Sequence, residues 1–267
     1  MTKKTMSLVA VLLLVLSLGL LPAAAETEEN TIYVNIANAG KLEAAMEPIA
    51  LADADGDGAL TVNDALILIH DAKYEGGAAA GFATADSQYG PMITKFWGVE
   101  NGGSYGYYVN NTMSMGLTDP VAAGDVVYAF VYADAAGFSD AYSYFDKSQA
   151  EIADGEELTL TLSKADGFDA NYAPIYKPLE GAVITVDGIA TQFVTDAEGK
   201  AAIKLESGSH IVSATAGETL LVPAVCAVAV QAAAAETSPA RTIGIILGIV
   251  VVIALIVVWM LKGKKKN

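Results

Sequence analysis

The sequence of 267 residues has one cysteine, two histidines and few basic side chains, 15 lysines and arginines against 31 acids. Each scarcity excludes something. A single thiol, Cys226, forms no internal disulfide, and its setting LVPAVCAVAV marks it as a small buried hydrophobe. Stability must then come from core packing and ions rather than crosslinks. A net charge of −16 argues against nucleic acid and anionic lipid as partners. His70 and His210 are too few and too scattered for a zinc cluster, and read as solvent-facing or locally bonded imidazoles. No glycine-rich loop carries a phosphate-binding lysine, and no Gly-x-Ser-x-Gly elbow occurs. The chain is therefore not read as an enzyme, and no catalytic residue is nominated.

The two ends are apolar. Lys3 and Lys4 precede an uncharged run from Leu8 to Leu21 and then Ala23, Ala24 and Ala25, the pattern of a secretory signal over residues 1–25. Thr242 to Leu261 is a 20-residue stretch without charge, long enough as a helix to cross a bilayer of about 30 Å. Lysines 262, 264, 265 and 266 follow it, which assigns residues 262–267 to the cytoplasm. The expected location is the cell membrane, single-pass, with everything from Glu26 to Ala240 outside. That outer part holds all 31 acids and eight lysines, a balance of −23. No Leu-Pro-x-Thr-Gly signal precedes the helix, so retention in the membrane is expected instead of transfer to a wall.

Between the ends, periodicity points to α+β followed by all-β structure. Ile32, Val34 and Ile36 alternate, a turn signal spans Asn38 to Gly40, and a second extended stretch ends at Leu51. Val62, Ala65, Leu66, Ile69 and Ala72 recur at three and four residues, the period of a helix with one buried face, stopped by Gly76 and Gly77. YGYYVN and VVYAFVY then read as strands. Strand, strand, helix, strand, strand suits a β-grasp-like sheet curled over one helix, expected over residues 26–150. After KSQAEIADGEE, read as a polar linker, six short strands with turns at Asp187-Gly188 and Asp196 to Lys200 predict an immunoglobulin-like or prealbumin-like β-sandwich over 151–231. Residues 232–241 read as a spacer.

The stretch DADGDGALTVND, residues 53–64, has the spacing of a calcium loop. Calcium takes six to eight oxygens, and one loop supplies them when ligands project at alternate positions. Counting Asp53 as position 1, the candidates are Asp55 at 3, Asp57 at 5, the Ala59 carbonyl at 7, Thr61 at 9 and Asp64 at 12, with Gly58 at the sharp turn and Leu60 inward at position 8. The plain alternative is a helix cap, since TVND also reads as a capping box between Thr61 and Asp64. That alternative leaves the ladder Asp53, Asp55, Asp57, whose charges repel at close range, without a purpose.

The loop resembles the calcium motif of dockerin modules and EF-hands, with aspartate at the twelfth position as in dockerins. The resemblance implies a bound calcium ion and, in the dockerin case, a cohesin-type partner. One copy of the loop is present and its helix is the one available to the sheet, so bracing the fold is the favoured role.

The segment ITKFWGVENGGSYGYYVNNTMSMGLTDPVAAGDVVYAFVY resembles the transcobalamin-like C-terminal β-grasp domain of bacterial surface proteins and vitamin B12 carriers, through the aromatic pair before Val109 and Asn110, the run GLTDPVAAGD, and the strand after Gly124 and Asp125. It implies a Gram-positive or archaeal envelope and, as an alternative function, a surface receptor for a corrinoid or similar small ligand. Trp97, Tyr105 and Tyr107 are the candidates for an exposed contact patch for a protein, glycan or small molecule. The stretch from Gly181 to Thr215 resembles the prealbumin-type or carboxypeptidase-regulatory-like sandwiches of surface stalks, with TDAEGK as the shared turn. Together these features predict a membrane-anchored, calcium-binding surface protein acting in binding or adhesion.

Overall fold

The computed structural model describes residues 30–232 apart from 172 and 218. The segments read as signal, most of the spacer, membrane helix and tail lie outside the described residues. Among the described residues no helix is long and apolar enough to cross a membrane.

The N-terminal unit is a mixed sheet with one helix on one face. Strands β1 (Thr31–Asn38) and β2 (Lys41–Ala50) form the expected hairpin. The order across the sheet is β2-β1-β7-β5-β6, where β5 is Tyr105–Val109, β6 is Thr112–Met113 and β7 is Val126–Val131. The first strand, β1, runs parallel to the last, β7, at the centre. A parallel pair cannot be closed by a tight turn, so the chain must cross over between them. The helix Val62–Lys73 lies in that crossover and buries Val62, Ala65, Leu66 and Ile69 against Ile32, Val34, Ile36 and Val127. Two details depart from the periodicity reading. Ala72 is exposed, and the last inward position belongs to His70, which has no exposed surface. The spacing 62, 65, 66, 69, 70 is still a helical stripe. A hairpin that the sequence reading did not contain, β3 (Ala83–Ser87) with β4 (Gly90–Lys95), follows a short helical turn at Gly77–Gly81 and forms its own two-stranded sheet.

The C-terminal unit is two facing sheets. One contains β8 (Ala141–Phe145), β10 (Glu157–Phe168), β11 (Pro174–Pro178) and β16 (Leu221–Val222), with β14 (Lys200–Lys204) also on β10. The other has the order β13-β12-β15-β17-β9, comprising Ile189–Val194, Val183–Val186, Gly208–Thr215, Cys226–Gln231 and Gln149–Ala153. Leu160, Leu162, Ile184, Ile203, Val212 and Val228 fill the space between them. Cys226 is fully buried there, and burial pushes its thiol up to about 12, so it packs as an apolar residue.

The strand pairing divides the chain earlier than residue 150. β8 pairs with β10 and β16, and β9 pairs in parallel with β17, so both belong with the sandwich. The segment read as a polar linker therefore contains a strand. Its polarity misleads because β9 is an edge strand that buries only Ile152 fully and turns Gln149, Glu151 and Ala153 outward.

The two units share a third apolar cluster. Alternation along β5 sends Tyr105, Tyr107 and Val109 to the helix side and Tyr108 to the other face. There Tyr108 stacks on Tyr142 of β8, with ring centroids 3.7 Å apart and planes 3° from parallel. The Tyr128 hydroxyl donates across to the Pro223 carbonyl at 2.6 Å, and within the sandwich the Ser143 hydroxyl donates to that of Val222 at 2.7 Å. Asn110 and Asn111 have positive φ, +50° and +62°, as a tight hairpin turn requires. That turn is gripped from the sandwich: Asn111 accepts the Tyr142 hydroxyl on its side chain at 2.9 Å and the Tyr176 hydroxyl on its carbonyl at 3.0 Å.

A seam of this kind makes the units unfold together. Tyr142→Ala should cost roughly 3–5 kcal/mol and lower the melting of both units in one transition, read by calorimetry.

Candidate metal centre

The loop begins where β2 ends and closes on the first turn of the helix. Asp53, Asp55 and Asp57 converge: one carboxylate oxygen from each lies within 4.8 Å of the others, and all three residues are exposed. Backbone donors place them. Asp53 accepts the N–H groups of Gly56 at 2.7 Å, Asp57 at 3.1 Å and Gly58 at 3.0 Å. Asp55 accepts Asp57 N–H at 3.1 Å, and Asp57 accepts Ala59 N–H at 2.8 Å. Gly56 and Gly58 have φ of +79° and +88°, the left-handed backbone that lets the chain fold back on Asp53. Among the described residues no lysine or arginine pairs with the three carboxylates. Three carboxylates at this separation repel one another, and a cation between them would relieve that repulsion, which is the respect in which the residues fit calcium.

The far end of the expected ligand set is used differently. Asp64 is fully buried and outside the converging group. Its Oδ1 accepts Ala54 N–H at 2.7 Å and Asp55 N–H at 3.3 Å, while Oδ2 accepts Thr61 N–H and Thr61 Oγ1–H, both at 2.8 Å. Four donors fill the acceptor positions of a carboxylate. Thr61 and Asp64 thus form the capping box, the plainer of the two readings of TVND. Ala59 is held by its N–H on Asp57.

Asn63 was not a candidate, and the structure brings it in. Its amide nitrogen donates to Asp55 at 2.7 Å, and its Oδ1 is buried without a hydrogen-bond partner. A second missed contributor is the segment 114–121, which runs alongside the loop's exit: Val121 N–H donates to Leu60 O at 2.9 Å, Val62 N–H to Asp119 O at 3.0 Å, and Asn63 N–H to Leu117 O at 2.9 Å. Asp119 stiffens it by accepting Ser114 Oγ at 2.6 Å and the N–H groups of Met115 and Gly116, and these bonds hold its carboxyl below the usual range against partial burial.

The aromatic candidates do not form an exposed patch. Trp97, Tyr105 and Tyr107 are half-buried and pack on the core beneath the helix. The Tyr105 hydroxyl accepts Asn101 N–H at 3.1 Å and lies 2.7 Å from the Val99 carbonyl, so its polar end is spent on its own loop. The Trp97 N–H donates to Nε2 of the buried His70 at 3.1 Å. His210 lies between the Asp187 carboxylate at 2.8 Å and the Glu206 carbonyl at 3.0 Å, and its pKa is raised chiefly by the bond to Asp187.

No family model matches the chain, and none of the curated proteins does. Among solved structures, the fibronectin(III)-like modules of CbhA from Clostridium thermocellum align with it at a TM-score of 0.28 and 16% identity, over 58% of this chain and 78% of that one. A superposition that loose carries no argument, so the site is read from its own residues.

Asp64→Ala leaves the N–H of Ala54 and the buried donors of Thr61 without acceptors and removes the cap. It should cost about 2 kcal/mol or more, measured as a lowered urea midpoint with calcium absent.

Proposed function

We propose that the loop from Asp53 to Asp64 binds a calcium ion that braces the N-terminal unit of a membrane-anchored extracellular protein acting in binding or adhesion. The observation that carries this is the convergence of Asp53, Asp55 and Asp57 without a basic partner. A hard divalent cation supplies what the loop lacks, a positive charge with many oxygen positions. Asp53, Asp55 and Asp57 are its side-chain ligands in this reading, the Ala59 carbonyl is a further candidate, and Asn63 holds Asp55 in place. Asp64 and Thr61 act one step away, tying residues 54 and 55 to the start of the helix. Order in the loop is thereby order in the helix.

The wider assignment draws on the same kind of support. The parallel β1–β7 pair with one helix across it favours the β-grasp plan and the transcobalamin-like resemblance. The two facing sheets favour the immunoglobulin-like or prealbumin-like reading. The extracellular, membrane-held location rests on the two apolar ends of the sequence. Recruitment of a cohesin-type partner is the competing use of the loop. The inward face of the helix is occupied by the sheet, and the element paired beside the loop is the segment 114–121, both of which favour bracing.

With calcium near 1 mM and a dissociation constant of roughly 0.1–1 mM, the ion adds about 0.4–1.4 kcal/mol. The melting midpoint of the full chain should rise by about 1 to 5 °C with calcium and return on chelation. Calorimetric titration should show one site, lost in the double variant Asp53→Ala, Asp57→Ala. Equal heats for variant and parent, or no heat in the parent, would end the calcium reading. Partner capture that needs calcium while the midpoint stays put would favour docking.

A further inference from the structure

The imidazole of His70 is the one fully buried histidine among the described residues, and its two nitrogens have fixed partners. Nδ1 lies 2.6 Å from the Leu66 carbonyl, and Nε2 accepts the backbone N–H of Trp97 at 3.1 Å. A carbonyl only accepts and a backbone N–H only donates, so the ring is neutral, with its proton on Nδ1. Tyr74, Phe82, Phe96 and Trp97 surround it, with ring centroids 5.0 to 5.9 Å away.

The N–H that His70 holds belongs to an element outside the main sheet. The β3–β4 hairpin has no strand partner in the main sheet. Its tip carries Tyr89, 89% exposed. At its base, Trp97 has a φ of +48°, a left-handed conformation unfavourable for a bulky side chain. Ile93 and Phe96 anchor this base in the core and the Trp97 ring packs on His70 and Tyr74, while the backbone at the turn is held by Gly98 N–H on the Gly81 carbonyl at 2.9 Å, the Tyr74 phenol against Gly98, and Trp97 N–H on His70.

We propose that His70 is an acid-sensitive latch: a proton on Nε2 faces the Trp97 N–H with a second donor, the hydrogen bond is lost, and the base of the β3–β4 hairpin lifts from the helix, uncovering Phe82 and Phe96.

The surrounding charges leave this burden on the ring. Asp71, on the same helix, favours the imidazolium. On the hairpin side Lys95 pairs with Glu100 at 3.4 Å, and from β2 Glu47 pairs with Lys73 at 2.5 Å. The phenols of Tyr74 and Tyr105 are the other titratable groups nearby, the latter tied to its loop. Among the described residues no carboxylate hydrogen-bonds the ring. Burial outweighs Asp71 and holds the ring at about 4, below its ordinary 6.5. A depressed folded value means that the contribution to stability is complete above 6.5 and is lost as pH falls toward 4. The latch is independent of the metal loop, since no ligand candidate touches His70.

The test uses the full chain carrying Trp259→Phe, so that Trp97 is the single indole. Iodide quenching and emission are followed from pH 7 to 3.5 beside far-ultraviolet dichroism. The latch predicts at least a threefold rise in quenching with a midpoint between 4 and 5 while the dichroism holds. His70→Gln offers Trp97 an acceptor that does not titrate, and it should abolish the step. An identical step in His70→Gln, or steady emission to pH 3.5, overturns the proposal. Should His70→Gln fail to fold, imidazole nitrogen shifts of the parent decide. A proton on Nε2 at pH 7, or ring ionisation more than one pH unit from the Trp97 step, overturns the latch; coincidence of the two supports it.

Discussion

The buried carboxylate of Asp64 is the constraint on which the N-terminal unit turns. One oxygen collects the N–H groups of residues 54 and 55, the other the backbone and hydroxyl of Thr61, so the two ends of an acidic loop meet at a single side chain. A helix leaves donors unpaired at its start, and a buried start must find acceptors. Here the acceptor also fixes the loop that delivers the chain from β2. From that point the helix direction is set, its stripe falls on the β1–β7 face, and the opposite face of the sheet is left for the sandwich.

That second face explains why the aromatic strand reads ambiguously. Tyr105, Tyr107 and Tyr108 are adjacent in sequence and go to two different cores, because a strand turns successive side chains to opposite sides. Gly106 is required between them, since a side chain there would run into the ring of Phe130. Tyrosine suits the seam because its ring packs while its hydroxyl reaches a carbonyl or amide across the boundary, as Tyr128, Tyr142 and Tyr176 do.

Much of this was legible in order of strength. The β1–β2 hairpin, the helix from Val62 and the strands with alternating Val and Ile declare themselves through periodicity, and six sandwich strands follow from it. β9 was hidden because an edge strand exposes most of one face, and β8 because AYSYF, viewed alone, suits either unit. The convergence of Asp53, Asp55 and Asp57 follows from their alternate spacing. The role of Asp64 does not, because ligand and cap place an acid at the same position, and only burial with four donors tells them apart. His70 continues the apolar stripe of the helix, a signal that polarity alone conceals.

The last described strand has a mechanical side. β17 lies between β15 and β9, antiparallel to one and parallel to the other, and the chain leaves it at Gln231 toward its C-terminal end. Tension applied from that end acts along β17, so both ladders are loaded in shear and their hydrogen bonds must break in concert. A strand peeled from an edge would give way one bond at a time.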